Sequence, residues 1–334
     1  MFIPYDQLIA AIMVIALILY ALLAGADFGG GMWDMLATGP RARQQREAIA
    51  DAIGPVWEAN HVWVILVIVL LFSCFPPAFA AIMTGLHIPI TAVLIGIVLR
   101  GSAFVFRKYD AQDDATHRRW STWFSISSFL TPLFLGITLG GLASGHIRVE
   151  DGVVISGFFA GWTTSFAFAC GLFAQGLFAF LAAVYMTVET DGDALLQNDF
   201  RLRAILSGLS LGPAAALVFF LAGRDAPILF AKLIEWWAPW LLVATSVAAV
   251  TALIGLWGGH YRLARVAAIL QVTLILSGWA LAQFPALVLP DLTIQSTAAP
   301  MVTLRLVTIV LACGAVILLP SLAYLFYIFK RPAR

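Results

Sequence analysis

Four ionisable side chains lie within segments of this chain that are otherwise strongly apolar. They are Asp27, Glu58, His61 and Arg100. Placing Asp, Lys or Arg at the centre of a membrane-spanning helix costs about 2.5–3.5 kcal/mol on insertion scales, so such residues are functional candidates by default. Two acids, one guanidinium and one imidazole can form a buried ion pair or exchange protons. The sequence therefore predicts charge or proton chemistry inside a membrane.

The helices that carry these residues are predicted to bring three of them to one depth. At a rise of about 1.5 Å per residue, a second span that runs outward from about residue 52 places Glu58 about 9 Å inside the cytoplasmic boundary. Arg100 ends an inward-running span at a similar depth, and Asp27 lies in the inner half of the first span. We therefore expect the three charged groups in one leaflet.

Two interpretations of this cluster stay open. A structural salt bridge from Arg100 to Asp27 or Glu58 would fix the packing of the helices, but it leaves the second acid unexplained. A proton route through Glu58 gives a role to a carboxyl group that can gain and lose a proton. Asn60 and His61 would extend such a route by hydrogen bonding. Another acid, Asp34, lies nearer the boundary and is expected to be solvated.

No spacing of histidines or cysteines predicts a metal site. The cysteines at positions 74, 170 and 313 stand singly in apolar runs and are predicted to be small core residues. His61 and His87, predicted near mid-bilayer on adjacent spans, are the pair that could ligate a haem iron. No Met or Cys is spaced as a clear alternative ligand, so we expect His87 instead to hydrogen-bond a neighbouring helix.

The composition predicts an all-α, polytopic membrane protein. Of its 334 residues, 62% are hydrophobic and 11% are charged, and the mean hydropathy is +0.96. Ordinary soluble domains are about 45–50% apolar and about 25% charged. The net charge of +1 gives no electrostatic case for nucleic-acid binding. A span needs about 20 apolar residues. Nine segments qualify: 7–36, 52–74, 77–101, 120–144, 159–188, 202–223, 233–257, 262–283 and 303–328.

The positions of Lys and Arg predict the orientation of these spans. With the N-terminus outside, fifteen of the nineteen Lys and Arg residues fall on the cytoplasmic side, where such residues accumulate. The C-terminus is then cytoplasmic, and the odd number of spans that this requires supports nine. The N-terminus lacks the basic region and cleavage site of a signal peptide, so the first span is expected to remain. Residues 1–334 are predicted to form a single integral membrane domain.

Small residues predict where helices touch. Gly136, Gly140 and Ser144 recur every four residues, a pattern that lets two membrane helices approach closely. The glycines at 29–31 either end the first helix or admit a neighbouring one. The seventh segment is the least sharply defined, because it begins with charge and mixes tryptophan with proline, and it is expected to start late or to enter at a tilt.

Several segments resemble subunit II of the cytochrome bd-type quinol oxidases. The first helix of that family carries G-x-D-F-G-x-G, found here in GADFGGGMWD. The second begins I-G/A-P-x-W-D/E-x-N-x-V-W, which matches IGPVWEANHVW from Ile53 to Trp63 without a gap. An FP dipeptide follows at Phe75 and Pro76, and R-G-x-x-F-x-F/Y-R begins at Arg100. The resemblance covers nearly the whole chain. The remaining motif residues are Gly25, Asp27, Phe28, Gly29, Gly31, Pro55, Trp57, Glu58 and Asn60.

The resemblance implies a fold of two four-helix bundles plus one peripheral helix, in a bacterial cytoplasmic (inner) membrane. In this family the partner, subunit I, ligates two haems b and one haem d and oxidises quinol on the outer side. Dioxygen is reduced to water without pumping, with protons taken from the cytoplasm. Subunit II completes the heterodimer and ligates no haem. Some members also carry a structural quinone or a small accessory subunit.

The resemblance also implies roles for individual residues. The acid of the second-helix motif, here Glu58, is assigned to a cytoplasmic proton route, and Asp27 and Arg100 are carried over from the first and third helices. A secondary transporter is the alternative from another class, because transporters also place charged side chains inside a helix bundle. A purely scaffolding subunit, whose charges serve assembly alone, is the third reading.

Overall fold

The computed structural model describes residues 4–54, 57–109 and 114–329, and these are almost entirely helical. Within lipid a chain must satisfy its backbone hydrogen bonds internally, which an α-helix does within one segment. The first half contains α1 (Tyr5–Met35), α2 (Ala42–Ile53), α3 (Trp57–Asn60), α4 (Val62–Cys74), α5 (Pro76–Gly85), α6 (His87–Tyr109) and α7 (Asp114–Ala143). Hairpin β1 (Val149–Glu150) and β2 (Val153–Val154) follows.

The second half continues the same pattern of long helices joined by short connections. It contains α8 (Ser165–Glu189), α9 (Ala194–Asp225), α10 (Pro227–Leu233), α11 (Ala238–Trp257) and α12 (Tyr261–Gln283). After these come hairpin β3 (Ala286–Val288) and β4 (Leu292–Thr293), the short α13 (Ile294–Thr297) and the last helix, α14 (Met301–Phe329). Within the described ranges, nine helical segments are long and apolar enough to cross a membrane, which agrees with the nine predicted.

The second and third spans begin later than predicted. The polar stretch before the second span forms a separate amphipathic helix, α2, and the span itself runs from Trp57 to Cys74. The third span begins at His87, because residues 76–85 form the independent helix α5 with Pro76 in its first turn. The backbone at Leu86, with φ −120° and ψ 20°, breaks the continuity between them.

Three later spans also begin at other residues than predicted, and of these the sixth begins earlier, at Ala194 rather than at 202. The fifth span starts at Ser165 rather than at 159, where the side chain of Thr164 caps it by accepting from the Ala167 amide. The seventh starts at Ala238, which is the late start expected for that segment. Ahead of it, residues 227–233 form the short helix α10.

The long helices pack in two groups of four. Helices α1, α4, α6 and α7 form the first group, with α1 against α4 and α7 and with α6 against α7. Helices α8, α9, α11 and α12 form the second, and α8 joins the two groups by packing against α1 and α7. Helix α14 lies outside both, and no part of its most apolar window is buried.

Glycines allow close contacts both between the two groups and within the first group. A Cβ on Gly29 would overlap the backbone carbonyl of Phe178 in α8, and one on Gly31 would overlap the Ser128 hydroxyl in α7. The predicted small-residue pattern is confirmed, since Gly136 and Gly140 of α7 lie directly against the backbone of α8. Helix α1 continues through its glycines to Met35, so they admit neighbours rather than end the helix.

Polar contacts hold the connections at each end of the helices. At the end richer in arginine, called the inner end below, Arg41 forms a bidentate pair with Asp199 at 2.6 and 2.8 Å. At the opposite, outer end, Arg148 Nε donates to Asp291 Oδ2 at 2.9 Å, which joins the two hairpins. The Val149 amide donates to the same oxygen at 2.8 Å. These contacts fix the loops around the apolar core.

Candidate functional site

Arg100 lies fully enclosed among the helices of the first group. It is 1% exposed, its Nη2 donates to the backbone carbonyl of Asp27 at 3.1 Å, and its Nε donates to Ser128 Oγ at 3.2 Å. The guanidinium also lies over the rings of Phe28 and Phe124, with its carbon 5.0 and 5.2 Å from their centroids. A planar guanidinium can donate in its plane and stack on aromatic faces at once. Arg100 thereby joins α6 to α1 and α7.

Asp27 is the acid of this buried cluster. It is 6% exposed, and its Oδ2 accepts a hydrogen bond of 2.7 Å from Asn60 Nδ2. Asn60, at the end of the short helix α3, is 2% exposed. Hydrogen bonds to a charged acceptor are stronger than those between neutral groups. The second-helix motif is therefore attached to the first helix at the acid that lies beside Arg100.

His61 completes the cluster and is surrounded by aromatic rings. Its ring centroid lies 5.8 Å from those of Tyr20 and Phe28 and 6.4 Å from that of Trp57. It is 9% exposed. Nothing in the described part of the chain hydrogen-bonds its Nδ1. We call Tyr20, Asp27, Asn60, His61 and Arg100 the inner polar cluster.

Glu58 lies apart from these side chains. It is exposed on the surface of the chain, and in the described ranges no side chain forms a hydrogen bond or ion pair with its carboxylate. Val62, Ile65 and Val69 are exposed in the helix that follows, spaced so that they continue one face with Glu58. The structure thus brings together Asp27, Asn60, His61 and Arg100, and it directs Glu58 away from them.

The described part of the second span runs from Trp57 to Cys74, and Glu58 lies in its first turn, at the inner end. The depth of about 9 Å given for Glu58 stays a prediction. The polar helix α2 precedes this span and overlaps the predicted one only at residues 52 and 53, and its Ile49 and Ile53 are buried in a core with Phe200.

Asp34 was expected to be solvated, but the structure buries it, with 2% of its surface exposed. The hydroxyl of Ser125 in α7 donates to its Oδ2 at 3.4 Å. Asp27 and Asp34 are seven residues apart, two turns of one helix, so they lie on the same side of α1. That spacing was the signal in the sequence for a second buried acid.

The remaining motif residues have packing roles. Trp57 packs against Phe104 with ring centroids 5.9 Å apart, and a Cβ on Gly101 would contact its ring at 3.0 Å. Trp63 is buried in the largest core cluster, and Phe75 is wholly buried where α5 begins at Pro76. Pro55 lies outside the described residues.

Sequence reasoning missed two polar residues at this site, one in the inner polar cluster and one that contacts it. Tyr20, on α1, is 3% exposed and reads in the sequence as one more aromatic residue of an apolar run. Ser128, on α7, is fully buried and gives its own proton to the Phe124 carbonyl at 2.7 Å while accepting from Arg100. In the sequence, Ser128 is marked only by the serine-rich stretch SISS inside a predicted span.

The residues that could bind a haem iron do not face one another. His61 lies near the inner end of its span, whereas His87 begins the next span at the outer end, about 20 Å away along the helix axis. His87 instead bonds through Nδ1 to the Thr84 carbonyl at 2.9 Å, in the preceding helix α5. Across the described ranges, no group of three or more His, Cys, Asp or Glu side chains could hold a metal ion.

Comparisons with known proteins agree on one family. Residues 5–329 match the model of cytochrome bd terminal oxidase subunit II. A Bacillus subtilis (strain 168) protein, provisionally named cytochrome bd menaquinol oxidase subunit II, is 26% identical over 98% of this chain and 97% of its own length. The cytochrome bd-I ubiquinol oxidase subunit 2 of Escherichia coli (strain K12) is 26% identical, over 55% of this chain and 48% of its own.

A solved structure shows the same fold. A chain of the bd oxidase from Geobacillus thermodenitrificans superposes with a TM-score of 0.77 at 20% identity, covering 97% of this chain and 98% of that one. The family model spans nearly every residue of both helix groups and of the peripheral helix α14. The chain therefore belongs to the cytochrome bd terminal oxidase subunit II family.

Proposed function

We propose that this chain, within a bd-type quinol oxidase complex, receives protons from the cytoplasm at Glu58 and delivers them toward the haem-bearing subunit I. The observation that carries this proposal is the exposed position of the Glu58 carboxylate at the inner end of the second span. An acid at that position is close to bulk water on one side and to the membrane interior on the other. It is therefore placed to load protons.

The surface around Glu58 supports contact with a partner subunit. An exposed apolar stripe extends from it along α4, the next helix of the same span, and consists of Val62, Ile65, Val69 and Phe72. A carboxylate that faced hydrocarbon beside this stripe would be unfavourable, so the proposal requires another protein surface to cover it. Subunit I of the heterodimer is the partner that the family implies, and its contact with this stripe would direct protons from Glu58 across the interface.

The chemistry needs such a delivery. Reduction of one dioxygen to two waters consumes four electrons and four protons, and oxidation of two quinols supplies the electrons and releases four protons. The two haems b and one haem d that the family implies supply electron transfer and dioxygen chemistry when bound in subunit I, while the residues of this chain bind and pass protons. If release is outside and uptake is cytoplasmic, charge crosses the membrane without pumping.

The inner polar cluster has a supporting role in this proposal. The helix that carries Glu58 also carries Asn60, which bonds to Asp27 on the interior side. Arg100 holds this arrangement by donating to the Asp27 carbonyl. Asn60 is two residues from Glu58, so the position of the acid depends on the bond from Asn60 to Asp27. The family match does not favour the secondary transporter, but a scaffolding role predicts the same fold and must be separated by experiment.

Glu58→Gln is the variant that separates proton delivery from scaffolding. The amide keeps the size and hydrogen bonding of the side chain but cannot carry the proton. We expect the complex to assemble, with an unchanged optical spectrum of the partner haems and at least a tenfold lower rate of quinol-dependent oxygen consumption. Glu58→Asp should recover part of the rate, because it restores a titratable group.

Glu47→Gln is the matched control. Glu47 is also an acid near the inner end, but it is exposed on α2 and pairs with the exposed Arg43. It should consume oxygen at the wild-type rate. A Glu58→Gln complex that respires like the wild type would exclude proton delivery through this residue and leave the scaffolding role.

A further inference from the structure

Three atoms of the inner polar cluster are buried without a hydrogen-bond partner among the described residues. They are the Tyr20 hydroxyl, Asn60 Oδ1 and His61 Nδ1. Asn60 and His61 are consecutive in the chain, and the rings of His61 and Tyr20 are 5.8 Å apart. His61 and the Arg100 guanidinium both lie against the ring of Phe28, with centroid distances of 5.8 and 5.0 Å.

Leaving these atoms unbonded would be costly. A buried polar group without a partner loses about 1–3 kcal/mol, and three such atoms lie within one cluster. Most buried polar side-chain atoms in proteins do find a partner, either protein or ordered water. A direct bond from Tyr20 to His61 would still leave Asn60 Oδ1 without a partner. The bond from Asn60 Nδ2 to Asp27 fixes the orientation of the amide, so Oδ1 and Nδ2 cannot exchange places.

The donor and acceptor types of the three atoms are complementary to water. The Tyr20 hydroxyl can donate, Asn60 Oδ1 can only accept, and neutral His61 can accept at Nδ1. A buried water typically makes about three hydrogen bonds, which is the number of orphan atoms present here. The rings of Phe28 and Trp57 lie against His61, which is itself buried.

We propose that Tyr20, Asn60 and His61 bind an ordered internal water within subunit II. The water accepts from the Tyr20 hydroxyl and donates to Asn60 Oδ1 and His61 Nδ1. Because Asn60 also donates to Asp27, the site joins the Asp27–Arg100 arrangement to Tyr20 through one continuous set of hydrogen bonds. Tyr20 lies seven residues before Asp27, about 10 Å along α1, so the polar region extends that far toward the middle of the membrane.

This site does not depend on the proton role proposed for Glu58. It concerns groups on the interior side of the helices, and neither measurement below needs turnover. If Glu58 proves to have no part in respiration, the water site is unaffected. If the water site is absent, the exposed position of Glu58 still stands.

The variant Tyr20→Phe tests the proposal through the sign of its effect on stability. If the hydroxyl donates to a bound water, its removal deletes a hydrogen bond and leaves the water one partner short, so the thermal midpoint of the purified complex should fall by about 1–3 °C at a fixed scan rate. If the hydroxyl has no partner, phenylalanine removes a buried unsatisfied group and the midpoint should rise.

Tyr324→Phe is the control, since Tyr324 is 66% exposed on the peripheral helix and should leave the midpoint unchanged. A density map of the wild-type complex that resolves waters should show a peak within hydrogen-bonding distance of Tyr20, Asn60 and His61. That peak, together with a lower midpoint for Tyr20→Phe, supports the site. An unchanged or higher midpoint, or a well-resolved map without the peak, overturns it.

Discussion

The guanidinium of Arg100 bonds to the backbone carbonyl of Asp27, 73 positions earlier in the chain, at 3.1 Å. A helix carbonyl already accepts from the amide four residues later, so this contact uses its second lone pair. The position of Arg100 therefore depends on the path of the α1 backbone as well as on the Asp27 side chain. A change of either residue should alter the packing of α6 against α1.

Replacing Arg100 with alanine should prevent or strongly impair assembly. The change removes the bonds to the Asp27 carbonyl and to Ser128, and it leaves the buried Asp27 carboxylate without its neighbouring cation. Removing one partner of a buried charge pair costs about 3–5 kcal/mol. The expected result is a low yield of purified complex and a clearly reduced thermal midpoint.

Two further variants calibrate that measurement. Arg100→Lys keeps the charge but cannot donate in two directions while stacking on Phe28 and Phe124, so it should be intermediate. Arg43→Ala should behave like the wild type, because the Arg43 side chain is 90% exposed and pairs with Glu47 along its own helix. A wild-type yield and midpoint for Arg100→Ala would contradict the structural importance of the residue.

Replacing Gly29 with alanine should destabilise the contact between the two helix groups. The new methyl group would overlap the backbone carbonyl of Phe178, and backbone atoms cannot rotate away as a side chain can. Overpacking of this kind costs about 1–3 kcal/mol. Thermal unfolding followed by tryptophan fluorescence, with the yield of complex, measures the effect.

Gly314→Ala is the matched control in another membrane helix. A Cβ at Gly314 meets no atom within 4 Å. In a helix interior alanine is favoured over glycine by about 1 kcal/mol, so this variant should be neutral or slightly stabilising. If Gly29→Ala and Gly314→Ala change the midpoint equally, the close contact at Gly29 does not contribute to stability, and the prediction is wrong.

The contact between the outer hairpins should weaken in acid. Partial burial acts to raise the pKa of Asp291, but the hydrogen bonds from Arg148 and the Val149 amide outweigh it and lower the pKa below the usual range. A carboxyl group whose pKa is lower in the folded state stabilises that state above its unfolded pKa of about 4. This contribution is lost as the pH falls through the folded pKa.

Asp291→Asn should remove that pH dependence. At pH 7 the variant should show faster proteolysis of the segment between α12 and α14 than the wild type, and the difference should shrink below about pH 4 as the wild-type carboxylate becomes protonated. Asp151→Asn, at the exposed tip of the other hairpin, serves as control. A wild-type digestion pattern that does not change with acid would argue against the Arg148–Asp291 contact.

Much of the fold could be predicted from hydrophobic patterning alone. Nine apolar runs predict nine spans, because each run must be long enough to cross the bilayer. The glycines at 136 and 140 predict a close helix contact, because a larger side chain would not fit there. The short hairpin at residues 149–154 was not predicted; the structure shows that its two turn residues, Asp151 and Gly152, both adopt positive φ.

The site was harder to predict because it depends on which way a side chain faces. Hydropathy assigned Glu58 and Asp27 to one leaflet, but the rotation of each helix about its axis decides whether an acid points into the bundle or out of it. Helix α2 was hidden for a related reason. Its apolar positions are too few for a span, and they are buried because the inner ends of α1, α8 and α9 surround them.

The enclosure of Arg100 also has a consequence for how the protein is made. A helix that carries an arginine with no access to water is poorly suited to leave the insertion machinery alone, because the carbonyl that this arginine binds is supplied by α1. The first helix is synthesised well before the arginine. It must therefore wait at the exit of the translocon, or return to it, so that both segments enter the lipid as a pair.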